Sequence, residues 1–133
     1  MRNILIIFFC LLIFTSDALA HPPASMKIRY DKSSNQLTVI MNHRTSKGGN
    51  SKKRKHFIEE VAFTKNGENI DTRTFNFQIN PSIVKVDFSM PQYEEKDTFT
   101  IEATCSTGAK SSKTFSASDL KYYQQAEPAT SYQ

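Results

Sequence analysis

Along most of the chain apolar and polar residues alternate with a period of two, the spacing of a strand with one buried face. Met26-Lys27-Ile28-Arg29-Tyr30 is the first such segment. Asp31 to Asn35 is a polar turn cluster, and Leu37-Thr38-Val39-Ile40-Met41 is a second strand, rich in β-branched residues. Phe57 to Phe63 predicts a third, with Ile58, Val61 and Phe63 apolar. Glu59-Glu60 breaks its alternation, as a β-bulge does. Asn66-Gly67 is the preferred centre of a type I′ hairpin, because both turn positions need φ > 0. The return strand is expected to run through Ile70 towards Phe77, with Phe75 and Phe77 on one face. Ile83, Val84, Val86 and Phe88 mark the next strand, and Pro91 to Asp97 a connection. Phe99, Ile101 and Ala103 alternate into Cys105, Ser106 to Ser112 reads as a turn, and Lys113-Thr114-Phe115 as a final short strand.

About seven short strands without an amphipathic helix predict an all-β domain, an immunoglobulin-like antiparallel sandwich. A small closed barrel is the other solution. Residues 121–133, polar and containing Pro128, read as a flexible C-terminal tail, so the domain is expected over 21–120.

The N-terminal segment reads as an export signal. Arg2 supplies a positive start, Ile4 to Phe14 is an unbroken apolar run of 11 residues, and Ala18-Leu19-Ala20 is the small-residue pattern of a cleavage site. The run is too short to span a bilayer, which takes about 20 residues. Residues 1–20 are therefore expected to be a signal peptide and the protein to be secreted or periplasmic, with no transmembrane segment. Removal leaves 113 residues, enough for one core, beginning at His21. Cys10 leaves with the signal, so Cys105 remains as the sole cysteine and no internal disulfide can form. It is then buried and inert, paired with another chain, or a metal ligand.

Three histidines remain. His21 becomes the N-terminus, His43 follows the second strand, and His56 precedes the third. With Cys105 at the end of a late strand, all four sit at strand ends or the terminus, where side chains converge at one pole of a sandwich. Imidazole and thiolate are strong ligands for iron, copper or zinc. A free α-amine and its own imidazole can chelate copper together at His21. Pro22 and Pro23 carry no backbone N–H, so copper cannot bind there through deprotonated amides.

Asn42-His43-Arg44, Lys55-His56-Phe57-Ile58-Glu59-Glu60-Val61 and Ile101-Glu102-Ala103-Thr104-Cys105-Ser106 resemble the iron-binding domain of superoxide reductase and desulfoferrodoxin. The resemblance covers roughly Met26 to Phe115, and Lys55 to Glu59 is its most specific piece. It implies a mononuclear non-haem iron on an immunoglobulin-like sandwich, with His43, His56 and Cys105 as ligands and His21 in place of an early family histidine. Lys55 would be the catalytic lysine that attracts superoxide to an open site, and an external electron donor would be required. The family's histidine three residues after the cysteine is Gly108 here. Two other functions stay open: a non-enzymatic copper-binding protein using His21 with His43 and His56, and an immunoglobulin-like binding module without metal.

Charge bears on the choice in one place. The chain carries a net charge of +4. Between His43 and His56 stand Arg44, Lys47, Lys52, Lys53, Arg54 and Lys55 with no acid, a local positive field able to steer superoxide or another small anion. Export, and the lack of an aromatic residue within the run to stack on a base, argue against nucleic acid.

Overall fold

The computed structural model describes residues 21–45 and 56–124. Residues 1–20, on which the expected signal peptide falls, residues 46–55 and residues 125–133 lie outside the described residues. The fold is an all-β sandwich of immunoglobulin-like type. Its strands are β1 (Ser25–Asp31), β2 (Gln36–Asn42), β3 (Ile58–Lys65), β4 (Glu68–Thr74), β5 (Ile83–Ser89), β6 (Thr98–Cys105) and β7 (Lys110–Ser116). One sheet has the order β1-β2-β5 and the other β4-β3-β6-β7. Every strand pairing is antiparallel. The chain changes sheet between β2 and β3, between β4 and β5, and again between β5 and β6, so both inner faces are built from segments distant in sequence.

The alternation seen in the sequence sets those inner faces. Met26, Ile28 and Tyr30 of β1, and Leu37, Val39 and Met41 of β2, point inward from one sheet. Val61 and Phe63 of β3, and Phe99, Ile101 and Ala103 of β6, meet them from the other. The Phe63 ring stands 5.2 Å from Phe88 and 5.6 Å from Phe99, which links the two layers. The expected bulge is present: the β3–β6 register shifts between Ile58 and Glu60. Asn66 and Gly67 carry φ of 51° and 84°, as a type I′ turn demands.

Three expectations need correction. The return strand β4 ends at Thr74, and Phe75 and Phe77 do not share a buried face: Phe75 packs against the core while Phe77 is 62% exposed. The strand ends there because Gln78 to Pro81 forms a separate hydrogen-bonded loop, described below. The final strand is longer than expected and its turn shorter, since Lys110 to Ser112 pair with Glu102 to Thr104. Lastly, the chain beyond Leu120 does not begin as a loose tail. After a 3₁₀ turn at Ala117–Asp119, Leu120–Tyr123 forms one helical turn, α1. Leu120 is buried, Tyr123 lies edge-on to Phe115 at 5.7 Å, and Gln124 makes a β-bridge to Tyr30. A single turn carries no helical periodicity, so the sequence pattern could not announce it.

The pole carrying the Asn66-Gly67 turn is fastened by Asp97. Its carboxylate accepts from the Asn66 amide at 2.8 Å and the Glu94 N–H at 2.8 Å, and meets Lys65 Nζ at 3.0 Å. These donors, the Asn66 amide foremost, hold its pKa down from 3.8 to about 2. The folded value lies below the unfolded one, so ionised Asp97 favours the fold above about pH 4 and loses that contribution as pH falls towards 2. Asp31, drawn down to about 2 by Ser33 and Ser34, acts in the same window. Chemical denaturation is therefore expected to show stability falling between about pH 4 and pH 2, with a shallower fall in Asp97→Asn. Equal slopes in the two proteins would contradict this role.

Candidate metal centre

Three of the four candidate ligands meet at the opposite pole. The inward row of β2, Leu37, Val39 and Met41, continues with period two to His43, which is 1% exposed. The extension past β2 is held by hydrogen bonds from His43 N–H to the Ser82 carbonyl and from Thr45 N–H to the Pro81 carbonyl, both 2.9 Å. His21 reaches the same place from upstream of β1. Ser25 pairs with Asn42, and Ala24 N–H extends the ladder to the Asn42 carbonyl at 2.8 Å. Upstream of that bond, buried Pro23 and exposed Pro22, each with φ fixed by its ring, lead to His21. His56 comes from the second sheet. It precedes β3, whose start is tied to the end of β6 by the Ser106 N–H to Phe57 carbonyl bond at 2.8 Å and by Ser106 Oγ accepting from Phe57 N–H at 3.2 Å.

The ring centroids are 5.3 Å apart for His21 and His43, 5.1 Å for His21 and His56, and 5.0 Å for His43 and His56. One ring nitrogen from each falls within a common span of 4.8 Å. Metal–imidazole bonds of about 2.0–2.1 Å place ligand nitrogens about 3 Å from one another, so the group must draw in slightly around an ion. His21 is exposed at the head of β1 and His56 only half-buried, so both have room to do so.

The hydrogen bonds around His43 fix its tautomer. Gln78 donates both amide hydrogens, to the His43 carbonyl at 2.9 Å and the Asn80 carbonyl at 2.7 Å. Its Oε1 therefore accepts, and the partner at 2.9 Å is His43 Nδ1, which must carry the proton. Nε2 is left with its lone pair. Among the described residues it is the one buried side-chain nitrogen or oxygen without a hydrogen-bond partner. Leaving such an atom unpaired costs about 1–3 kcal/mol, and a bound cation removes that cost. The His43 pKa is lowered, mainly by burial; the Gln78 bond raises it, the neighbouring His56 and His21 rings lower it again, and the nearby His21 main chain raises it slightly. Burial thus keeps the imidazole neutral, the form that binds metal. His56 Nε2 faces the Arg44 carbonyl at 3.2 Å, which it reaches by donating, and this leaves the lone pair on its Nδ1.

Gln78 gives no signal of its own in the sequence, since an isolated glutamine in a loop has no informative spacing. The Asn80-Pro81 pair marks the turn that presents it: Asn80 Oδ1 accepts from the Ser82 and Ile83 N–H groups at 2.8 and 3.0 Å. A partner that orients a ligand histidine is worth roughly 10–100-fold in metal affinity. Gln78→Leu is expected to weaken binding by roughly that factor while leaving the stoichiometry at one ion, as measured by competition with a chromophoric chelator. Unchanged affinity would mean that Gln78 does not position His43.

Cys105 stands outside the three-histidine group. It ends the inward row Phe99, Ile101 and Ala103 of β6 and is fully buried. It pairs with Ile58 across the sheet, two residues from His56, so it belongs to the same pole, and its Sγ accepts from Thr107 Oγ at 3.2 Å. Gly108 has φ of 89° in the β6–β7 turn and donates its N–H to the Cys105 carbonyl at 2.8 Å. A side chain there would be strained, so glycine suits this turn. Lys55 and the other basic residues from Lys47 on lie outside the described residues; Arg44 is exposed.

No helix among the described residues is long and apolar enough to cross a membrane. No family model matches the chain, and neither a curated protein nor a solved structure matches it.

Proposed function

We propose that this is an exported, immunoglobulin-like protein that binds one transition-metal ion, copper by preference, through His21, His43 and His56. The observation that carries the proposal is the buried, unpartnered Nε2 of His43, directed by Gln78 and grouped with two further imidazoles. Three imidazole nitrogens without a carboxylate exclude magnesium and calcium, which take oxygen ligands. Among divalent first-row ions nitrogen sites bind copper most tightly. Metal analysis of protein purified from its exporting host tests this. One copper per chain is the expected result, and metal-free protein that takes up no ion on titration would refute it.

A second proposal is the iron protein that the superoxide reductase resemblance implies, reducing superoxide with electrons from an external donor. It is favoured by the position of Cys105, paired with Ile58 two residues from His56. Iron at one per chain, with a thiolate-to-iron colour band lost in Cys105→Ser, would support it over copper.

A further inference from the structure

We propose that the α-amine of His21, freed when the signal peptide is removed, is a fourth nitrogen ligand, so that export processing itself completes the metal site. This rests on the three-histidine proposal above and on cleavage after Ala20.

The main-chain path to His21 is restricted. The Ala24 N–H to Asn42 carbonyl bond anchors the segment, Pro23 is buried, and the two prolines restrict φ between that anchor and the terminal residue. The His21 ring is thereby held 5.3 Å from the ring of His43, whose Nε2 is buried without a hydrogen-bond partner. The amine and the ring of His21 share one Cα, so amine nitrogen and Nδ1 can close a six-membered chelate on one ion. In the structure Nδ1 lies 3.4 Å from the Pro22 carbonyl, a long contact on an exposed residue, which a metal bond can replace.

Chemistry selects the same atom. Three imidazoles leave a copper(II) ion one nitrogen short of the four-donor tetragonal plane it prefers. Pro22 cannot supply a deprotonated amide, since it has no N–H. Among the described residues no carboxylate belongs to the group. In a chain that still carries residues 1–20 the His21 nitrogen is an amide and a poor ligand. In the processed chain it is an amine, whose lone pair can bind a cation. The unprocessed precursor would thus hold metal poorly, and loading would wait until the chain has left the compartment where it is made.

The test compares three preparations: the chain beginning at His21, the same chain selectively acetylated on its α-amine, and the chain with a flexible Gly-Ser extension before His21. The extension is long enough to carry its free amine away from the site. Copper(II) affinity is read by chelator competition, and nitrogen coordination by electron paramagnetic resonance. Tethering a donor to one already bound commonly raises affinity 10²–10⁴-fold, so both blocked forms are expected to bind about 100-fold more weakly and to lose one nitrogen from the spectrum. Equal affinity and spectra in all three, with binding still abolished by His43→Ala, would overturn the amine's role and leave the three-histidine site standing. Absence of copper binding in the chain beginning at His21 would overturn both.

Discussion

Replacing His43 with alanine is expected to abolish tight metal binding, a loss of more than about 100-fold and beyond the effect of removing an orienting partner such as Gln78. His43 is the only one of the three imidazoles that is fully buried, and its ligand nitrogen has no other partner among the described residues. The other two rings can find alternative hydrogen bonds in solvent; His43 cannot. Because the ring also packs in the interior, the substitution itself costs stability, and the folded state of the variant must be verified by circular dichroism. His56→Ala, at a half-buried position, provides the second check, since it removes a ligand with little disturbance of the core. Both variants should fold and lose the ion when measured by calorimetric titration. Retention of wild-type affinity in either would remove the basis for the site.

Truncating Phe63 to alanine should have the largest effect on the fold, about 3–5 kcal/mol, the usual range for a buried Phe→Ala change. The side chain is fully buried in the middle of β3 and touches aromatic rings from both sheets, Phe88 in one and Phe99 in the other. Removing it leaves a cavity between layers that are held apart by their own backbone ladders and cannot close over it. For a domain of this size the loss amounts to roughly 15–25 °C in Tm. Phe77→Ala is the control: that ring is largely exposed, and its removal should change stability by no more than about 0.5 kcal/mol. Equal losses at the two positions would mean that the interior is not packed as described.

The strands were legible because each keeps a period-two pattern that places one side of the chain in the interior. The bulge at Glu59 and the Asn66-Gly67 turn were legible for a related reason, since both are local and depend on residue chemistry alone. The convergence of the histidines was partly legible: strand ends gather at poles, and His43 extends the inward row of Leu37, Val39 and Met41. By the same rule Cys105 extends the inward row of β6 and is buried, but a shared pole does not fix the last few ångströms. The histidine group closes across β1, β2 and β3 without including it. Gln78 was illegible because its role depends on a contact 35 residues distant, made by a loop with no repeating pattern.

The claim on which the functional account depends is that one ion sits among three imidazoles drawn from both sheets. Diffraction from crystals grown with one equivalent of copper, with data collected at the copper absorption edge, tests it most directly. The expected result is a single anomalous peak bonded to ring nitrogens of His21, His43 and His56, with the Gln78 to His43 hydrogen bond intact. A map without a peak at this pole, or with the peak bonded to none of the three rings, would contradict it.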